Sequence, residues 1–507
     1  MRKTALALII LTVLSNILGF LRDIALSYFY GTTGVSDAYL ISLTIPGIIF
    51  TFIGVGLSTI FIPVYSSALN EKNQIAADRF MNNTINFLLI ACSIIVVIGI
   101  AFAEESVKLF ASGFKGETLR LAVEFTKISI FGIYFTGLIY ILTGYLQMKN
   151  KFIITATMGL PFNIVGILFI ILGHEVNIML LSVGSVASVA IQFVCLLFFA
   201  TKQGYQYKFI LKKDDEYLKK MINLSLPVIL GVSVNQINSL VDQMIASNLV
   251  SGGISALNYA NKINISINTI FVMSVVTMLY PKISKLAAEK NFKELKKSAA
   301  ETINIIIIII VPITMGALIF SKQIITILFG RGAFDKMAID MTSEALVFFS
   351  IGMIGFGLRE VLSRVFYSMQ DTKTPMINAA IGLGLNIILN IILSKFLGIG
   401  GLALATSISA IFTTALLFIS LTKKIGDFGL RVMFVNFFKT FISSMIMALG
   451  AQLLFFCLSS KFSSNISLVI SILSGVAIYS ILIYIMKIEI VLNVVNDWKL
   501  KSRVRKV

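Results

Sequence analysis

Arg22 and Asp23 stand side by side inside an apolar run. A guanidinium kept from water binds anions through five fixed donors, and a neighbouring carboxylate can orient or neutralise it. Adjacent helical residues point about 100° apart, so two readings stand: a neutralised pair pinning helices together, or Arg22 facing a cavity and meeting an anion. Further on, Asn235, Asn238 and Asp242 fall within about 60° of one another on a helix. Asn258, Asn261, Lys262, Asn264 and Asn268 form a stripe on less than half a helix. Arg359 and Glu360 are neighbours, either a structural pair or cavity groups, and Arg364 has the look of a snorkelling side chain. Asn386 and Asn390 lie one turn apart, with Thr406 beyond them. Asparagines can be simple interhelical glue. An acid within a span, such as Asp242, needs a cation or a proton.

The elements that carry these residues follow from composition. Of 507 residues, 57% are hydrophobic and 13% charged, with mean hydropathy +0.94. Apolar runs recur from end to end, each long enough to cross a hydrocarbon core of about 30 Å as a helix. Inside lipid every backbone N–H and C=O must be satisfied within its own segment, so the runs are helices. A β-barrel would show short alternating segments instead. The expectation is an all-α polytopic membrane protein of about fourteen spans: 5–30, 36–64, 80–103, 120–146, 152–172, 177–200, 221–249, 255–281, 298–320, 339–366, 376–394, 400–421, 432–457 and 466–486. The first run carries Arg22-Asp23 and no small-residue cleavage site, so it reads as a retained helix.

Charge orients the bundle. With alternating spans and a cytoplasmic N-terminus, 28 of the 42 Lys/Arg fall in cytoplasmic segments, 8 outside and six within spans. The positive-inside rule therefore places both termini in the cytoplasm. The net charge of +18 is topology plus attraction to anionic membrane lipid, not nucleic-acid binding, since no basic domain stands outside the membrane. The tail DWKLKSRVRKV reads as an interfacial anchor around Trp498. Cys92, Cys195 and Cys457 lie far apart in apolar runs, and His174 sits in a short loop. No zinc spacing, phosphate-binding glycine loop or nucleophile motif appears, which argues against an enzyme or an ATP-driven pump.

The chain also repeats. Residues 36–66 align without a gap on 254–284 at an offset of 218, matching Ala38 to Ala256, Pro63 to Pro281 and Ser66 to Ser284. Asp23 meets Asp242 if one residue is dropped, and Asn163 meets Asn386 at an offset of 223. Six spans per copy is an even number, so the copies are parallel repeats. The division expected is an N-lobe at 1–200, a basic cytoplasmic linker at 201–220, a C-lobe at 221–421, an extra helix pair at 432–486 and a basic tail at 487–507.

LGFLRDIALSYFYG (18–31), SDAYLISLTIPG (36–47), STIFIPVYS (58–66) and RVFYSMQDTKTP (364–375) resemble the MurJ/MviN lipid II flippases of the multidrug/oligosaccharidyl-lipid/polysaccharide (MOP) exporter superfamily. The resemblance covers essentially the whole chain. It implies a bacterial cytoplasmic-membrane flippase that carries lipid-linked peptidoglycan precursor outward by alternating access, with the tail along the extra helix pair. It also places cell-wall synthesis proteins among candidate partners. Arg22 matches a family arginine for the diphosphate, with Asp23 and Asp37 matching the acids around it, and Lys262 falls where arginine is common. Asn16 and Phe50 stand at two other basic positions of the family, and Ile265 replaces a glutamate. The resemblance further implies a sodium coupling site from Asp242, Asn386, Asn390, Thr406 and the Leu402 carbonyl, with Asn390 in place of an aspartate. No other cofactor is implied. The rival readings are a flippase for another polyprenyl-diphosphate-linked oligosaccharide of capsule or teichoic type, a MATE-like drug antiporter, and a non-transporting scaffold for wall assembly.

Overall fold

The computed structural model describes residues 2–488 and 491–492, without the side chains of 2–6, 9, 52, 53, 55, 56, 58, 59 and 226–235. The Asn235 side chain, and Trp498 with nearly all of the basic tail, lie outside the described residues. The chain is helical, in the order α1 (Arg2–Tyr30), α2 (Gly34–Glu71), α3 (Gln74–Ala101), α4 (Ala103–Phe110), α5 (Gly116–Ser129), α6 (Gly132–Met148), α7 (Phe152–Thr157), α8 (Gly159–Glu175), α9 (Leu180–Lys202) and α10 (Glu216–Leu249). Then come α11 (Gly253–Ile267), a π-helical stretch (Asn268–Val272), α12 (Met273–Ala288), α13 (Phe292–Leu328), α14 (Lys336–Ser368), α15 (Lys373–Ile425), α16 (Leu430–Ser459) and α17 (Ser464–Ile485).

Among the described residues, eleven helical spans are long and apolar enough to cross a membrane, α7–α8 and α11–α12 each counting as one, or twelve if the bent pair α5–α6 is one span. The expectation of fourteen differs for two reasons. The 53-residue α15 holds two expected spans and breaks at Gly398, whose φ of 53° and ψ of −130° leave the helical region. In addition, α10 is not among the eleven; the side chains of its residues 226–235 lie outside the described residues.

By packing, the chain forms two compact units: Met1–Ser255 with Arg331–Ala338, and Ala256–Gly330 with Ile339–Val507. In the first unit α2 is central, lying against α5, α6 and α10, while α1 packs on α8 and α8 on α9. Local chemistry starts α2: Thr33 and Ser36 form a reciprocal capping box, with the Thr33 N–H donating to Ser36 Oγ at 2.9 Å. One end of the unit is an aromatic core of Phe61, Tyr65, Phe80, Tyr145, Tyr205 and Tyr217. Lipid offers no hydrophobic drive between helices, so such cores hold by close packing and hydrogen bonds.

In the second unit, α13, α16 and α17 pack as a trio, so the extra helix pair docks on α13. Tyr479 donates to the Ile308 carbonyl at 2.6 Å, and Asn436 Nδ2 to Asn304 Oδ1 at 3.1 Å. Helices α14 and α15 are held by hydroxyls: Ser407 donates to the Phe348 carbonyl at 2.6 Å and Thr414 to that of Gly355 at 2.8 Å. A turn forms before Pro375, with Asp371 accepting from the Thr374 N–H at 3.0 Å and its hydroxyl at 2.8 Å.

Candidate functional site

The first unit contains a cavity of about 380 Å³ between α1, α2, α5, α6, α8 and α9. Arg22 is the one charged residue among its described lining residues, and Ser129, Thr136, Tyr140, Ser185 and Ser188 supply hydroxyls. The guanidinium lies over the Phe162 ring, 5.3 Å from its centroid. Its nearest oxygen on Asp23 is 3.5 Å away, at the outer limit of hydrogen bonding. Asp23 therefore orients Arg22 without saturating its five donors. Gly166 makes the space: a Cβ there would stand 3.0 Å from Arg22 Cδ. Arg22 thus lines the cavity while keeping Asp23 beside it, so the pair and the cavity-facing arrangement occur together.

Two cavity-shaping residues were not singled out from sequence. Phe162 and Gly166 lie one turn apart beside Asn163, which ties α8 to α1 by donating to the Ser15 carbonyl at 3.2 Å. The signal was the segment PFNIVGI around Asn163, the residue used above only to align the repeats. Phe50, standing at a basic position of the resembled family, is buried in the cavity wall and stacked on Tyr140 at 5.6 Å. Asn16 is exposed on α1.

Asp37 is not a lining residue of this cavity. It is 1% exposed and clamps the α10–α11 turn. One oxygen accepts from the Gly252 N–H at 2.8 Å; the other accepts from the Ser255 N–H at 2.8 Å and hydroxyl at 2.7 Å. Gly252 takes φ +84°, and a Cβ there would meet the Thr32 carbonyl oxygen at 2.1 Å. Asp37 and Ser255 are 218 residues apart, the offset of the repeat, so equivalent positions of the two copies bond to each other.

Lys262 lies half-buried on α11 in the second unit. One and a half turns on, Asn268 Nδ2 donates to the Asn264 carbonyl and side chain, both at 3.0 Å, where the helix widens into its π stretch. Such stretches recur at functional sites. Arg359 and Glu360 do not form the pair their adjacency suggested. Adjacent side chains diverge on a helix, so Glu360 accepts from Arg364 Nε one turn on, at 2.9 Å, and Arg359 lies over Phe356 at 5.5 Å.

Four of the five expected sodium ligands form one chain in the second unit. Thr406 donates to the Leu402 carbonyl at 3.0 Å, Asn386 Nδ2 to Thr406 Oγ1 at 3.3 Å, and Asn390 Nδ2 to Asn386 Oδ1 at 2.8 Å. Asp242, on α10, belongs to the first unit. The oxygen-only donor set fits a hard cation by type. Among the described residues, no three His, Cys, Asp or Glu converge as metal ligands.

The described residues form an all-helical multi-pass membrane bundle. Its fold is shared by an inward-facing multidrug resistance MATE family transporter of the MOP superfamily, with TM-score 0.71 over 84% of this chain and 98% of that one, at 14% identity. The chain belongs to the lipid II flippase MurJ family, whose pattern it matches over residues 26–476. It is 30% identical to the probable lipid II flippase MurJ of Buchnera aphidicola subsp. Baizongia pistaciae, over 80% of this chain and 81% of that protein. It is 28% identical to the probable lipid II flippase MurJ of Rickettsia prowazekii, over 83% and 84%. A structure of lipid II flippase MurJ in an inward closed conformation matches with TM-score 0.81 and 28% identity, over 94% and 97%.

Proposed function

We propose that this chain is a transporter, not an enzyme, that carries lipid II across the bacterial cytoplasmic membrane by alternating access, with both termini cytoplasmic. The observation that carries this reading is Arg22, oriented but unsaturated, in a hydroxyl-lined cavity of a chain that belongs to the MurJ family. The guanidinium binds the diphosphate of the headgroup through a planar fork that suits phosphate oxygens, and Asp23 holds its orientation. Lys262 supplies a second cation for the anionic headgroup. Opening the end of the first unit at Asp37 requires its three bonds to Gly252 and Ser255 to break. The polyprenyl tail stays in lipid, along α16 and α17.

Sodium as coupling ion is part of this proposal. Asn386, Asn390, Thr406 and the Leu402 carbonyl would hold it, and the bound ion would supply positive charge in the membrane span. The decisive experiment measures lipid II accessibility at the outer leaflet after depletion of this protein. Accessibility should collapse. Continued lipid II export with arrest of another polyprenyl-linked polymer would transfer the assignment to that oligosaccharide.

A further inference from the structure

The stretch joining α9 to α10 is not a loose tether. Residues 205–212 run without helix or turn along α3, and three asparagines of α3 bond to them. Asn82 Nδ2 donates to the Gln206 carbonyl at 3.1 Å, while its Oδ1 accepts from the Lys208 N–H at 3.2 Å and from Tyr205 Oη at 3.0 Å. Asn83 takes both backbone groups of Lys212, each at 2.9 Å. Asn86 donates to the Ile210 carbonyl at 2.9 Å and accepts from Tyr207 Oη at 2.7 Å. Tyr205 is 4% exposed and packs against Tyr145, whose hydroxyl donates to the Gln203 carbonyl at 3.1 Å.

Depth along α3 gives this stretch its meaning. Asn82 and Asn86 lie roughly 12 and 18 Å from the helix start at Gln74, at about 1.5 Å per residue. The unbroken apolar part of α3 begins at Phe87. The stretch thus lies where the hydrocarbon edge meets the helix. Non-helical backbone at that level survives only if protein groups satisfy it, and the three amides do so. Outward from it stand Tyr207, Phe209 and Leu211, exposed by 54%, 75% and 42%, on one face by their alternation. Lys202, Lys208, Lys212 and Lys213 flank them, with Lys202 over the Phe198 ring at 4.2 Å. Of the nearby acids, Asp214 is taken by Lys219 at 2.8 Å, and Asp215 accepts from the Tyr217 and Leu218 N–H groups as the cap of α10.

We infer that residues 202–213 form an interfacial anchor that inserts Tyr207, Phe209 and Leu211 into the bilayer boundary and binds the headgroups of anionic phospholipid through its lysines. Aromatic rings prefer that boundary, and lysines near it attract anionic lipid. The anchor fixes the membrane depth of the first unit beside the segment that leads to α10.

The test uses the full chain with Phe209→Trp in a Trp498→Phe background, which leaves one tryptophan because the sequence has one. The protein is reconstituted in vesicles of phosphatidylcholine with phosphatidylglycerol, and bromine is placed on the acyl chains of either lipid. The expected result is blue-shifted emission, quenched more by brominated phosphatidylglycerol than by brominated phosphatidylcholine. Lys208→Gln/Lys212→Gln/Lys213→Gln should remove that preference while the blue shift persists. Emission at the solvent-exposed wavelength without quenching overturns the anchor, and equal quenching by both lipids overturns its anionic selectivity.

Discussion

Two polar regions of this molecule, both set among apolar helices, solve opposite problems. Around Arg22 the donors outnumber the acceptors offered to them: Asp23 sits at 3.5 Å, an aromatic ring covers one face, and the cavity takes the rest. Along α15 the side chains of Asn386, Asn390 and Thr406 hand hydrogen bonds to one another and to the Leu402 carbonyl. A guanidinium meant for an anion keeps donors unused. The α15 side chains instead spend their donors on neighbours, because an unmet buried donor costs about 1–3 kcal/mol, and what they keep for a cation is oxygen lone pairs. The α3 asparagines follow the second pattern, spent on backbone instead of side chains.

The contrast can be broken at each end. Arg22→Ala should have the largest effect: loss of complementation of a flippase-depleted strain at normal protein level. Normal growth would remove Arg22 from its assigned role. Arg22→Lys should recover only part of the function, since an ammonium loses the bidentate fork. Asp37→Ala comes next. It leaves the Gly252 and Ser255 donors unmatched, and hydrogen bonds to a charged group are worth about 1.5–3 kcal/mol each. The expected readout is a lower melting temperature in detergent together with faster amide hydrogen exchange at Gly252 and Ser255, whose N–H groups lose their acceptor; unchanged exchange would deny that the contact is a clamp.

Gly166→Leu should fill the space beside the Arg22 stem and reduce lipid II transport in vesicles without lowering expression. A variant that transports normally would show that the cavity tolerates a displaced arginine. Asn390→Asp sharpens the other side of the comparison. Adding a carboxylate to the α15 chain should raise sodium-dependent thermal stabilisation relative to potassium, and no difference between the salts would remove sodium from these residues.

The smallest effect is expected at Asp371. Burial alone would raise its pKa, but hydrogen bonds from Lys424 and Thr374 bring it down to about 2. A folded-state pKa below the unfolded value of about 3.9 stabilises the fold above that value, and the benefit fades as pH falls toward 2. Asp371→Asn should therefore lower the melting temperature slightly at neutral pH, with a difference that shrinks in acid.

Much of this was legible in the order of residues. The helical membrane class follows from run length, since apolar stretches of bilayer length must satisfy their own backbone. The turn at Asp371 follows from the side chains that cap it. The resemblance pointed to Arg22 through LGFLRDIALSYFYG, and the cavity that Arg22 lines lies where that motif packs on α8. Other features could not be read there. Glu360 is adjacent to Arg359 in sequence, but helix geometry gives it Arg364. The spans within α15 were expected as two separate helices, and a single glycine conformation at Gly398 serves as the whole connection.

Asp37 marks the division most clearly. The sequence by itself determined that an acid begins α2, and that its position is equivalent to Ser255 by the offset of 218. It also determined the family, through motifs that need no coordinates to compare. Only the tertiary structure decided that these two residues bond, that the acid clamps a turn outside the Arg22 cavity, and that the asparagines of α3 hold the stretch from Tyr205 to Lys212 at the membrane boundary. The physical reason is range. Helix class and lipid exposure depend on neighbours a few residues away, whereas a hydrogen bond depends on angstrom-scale placement of atoms from distant segments, which only the packed chain supplies.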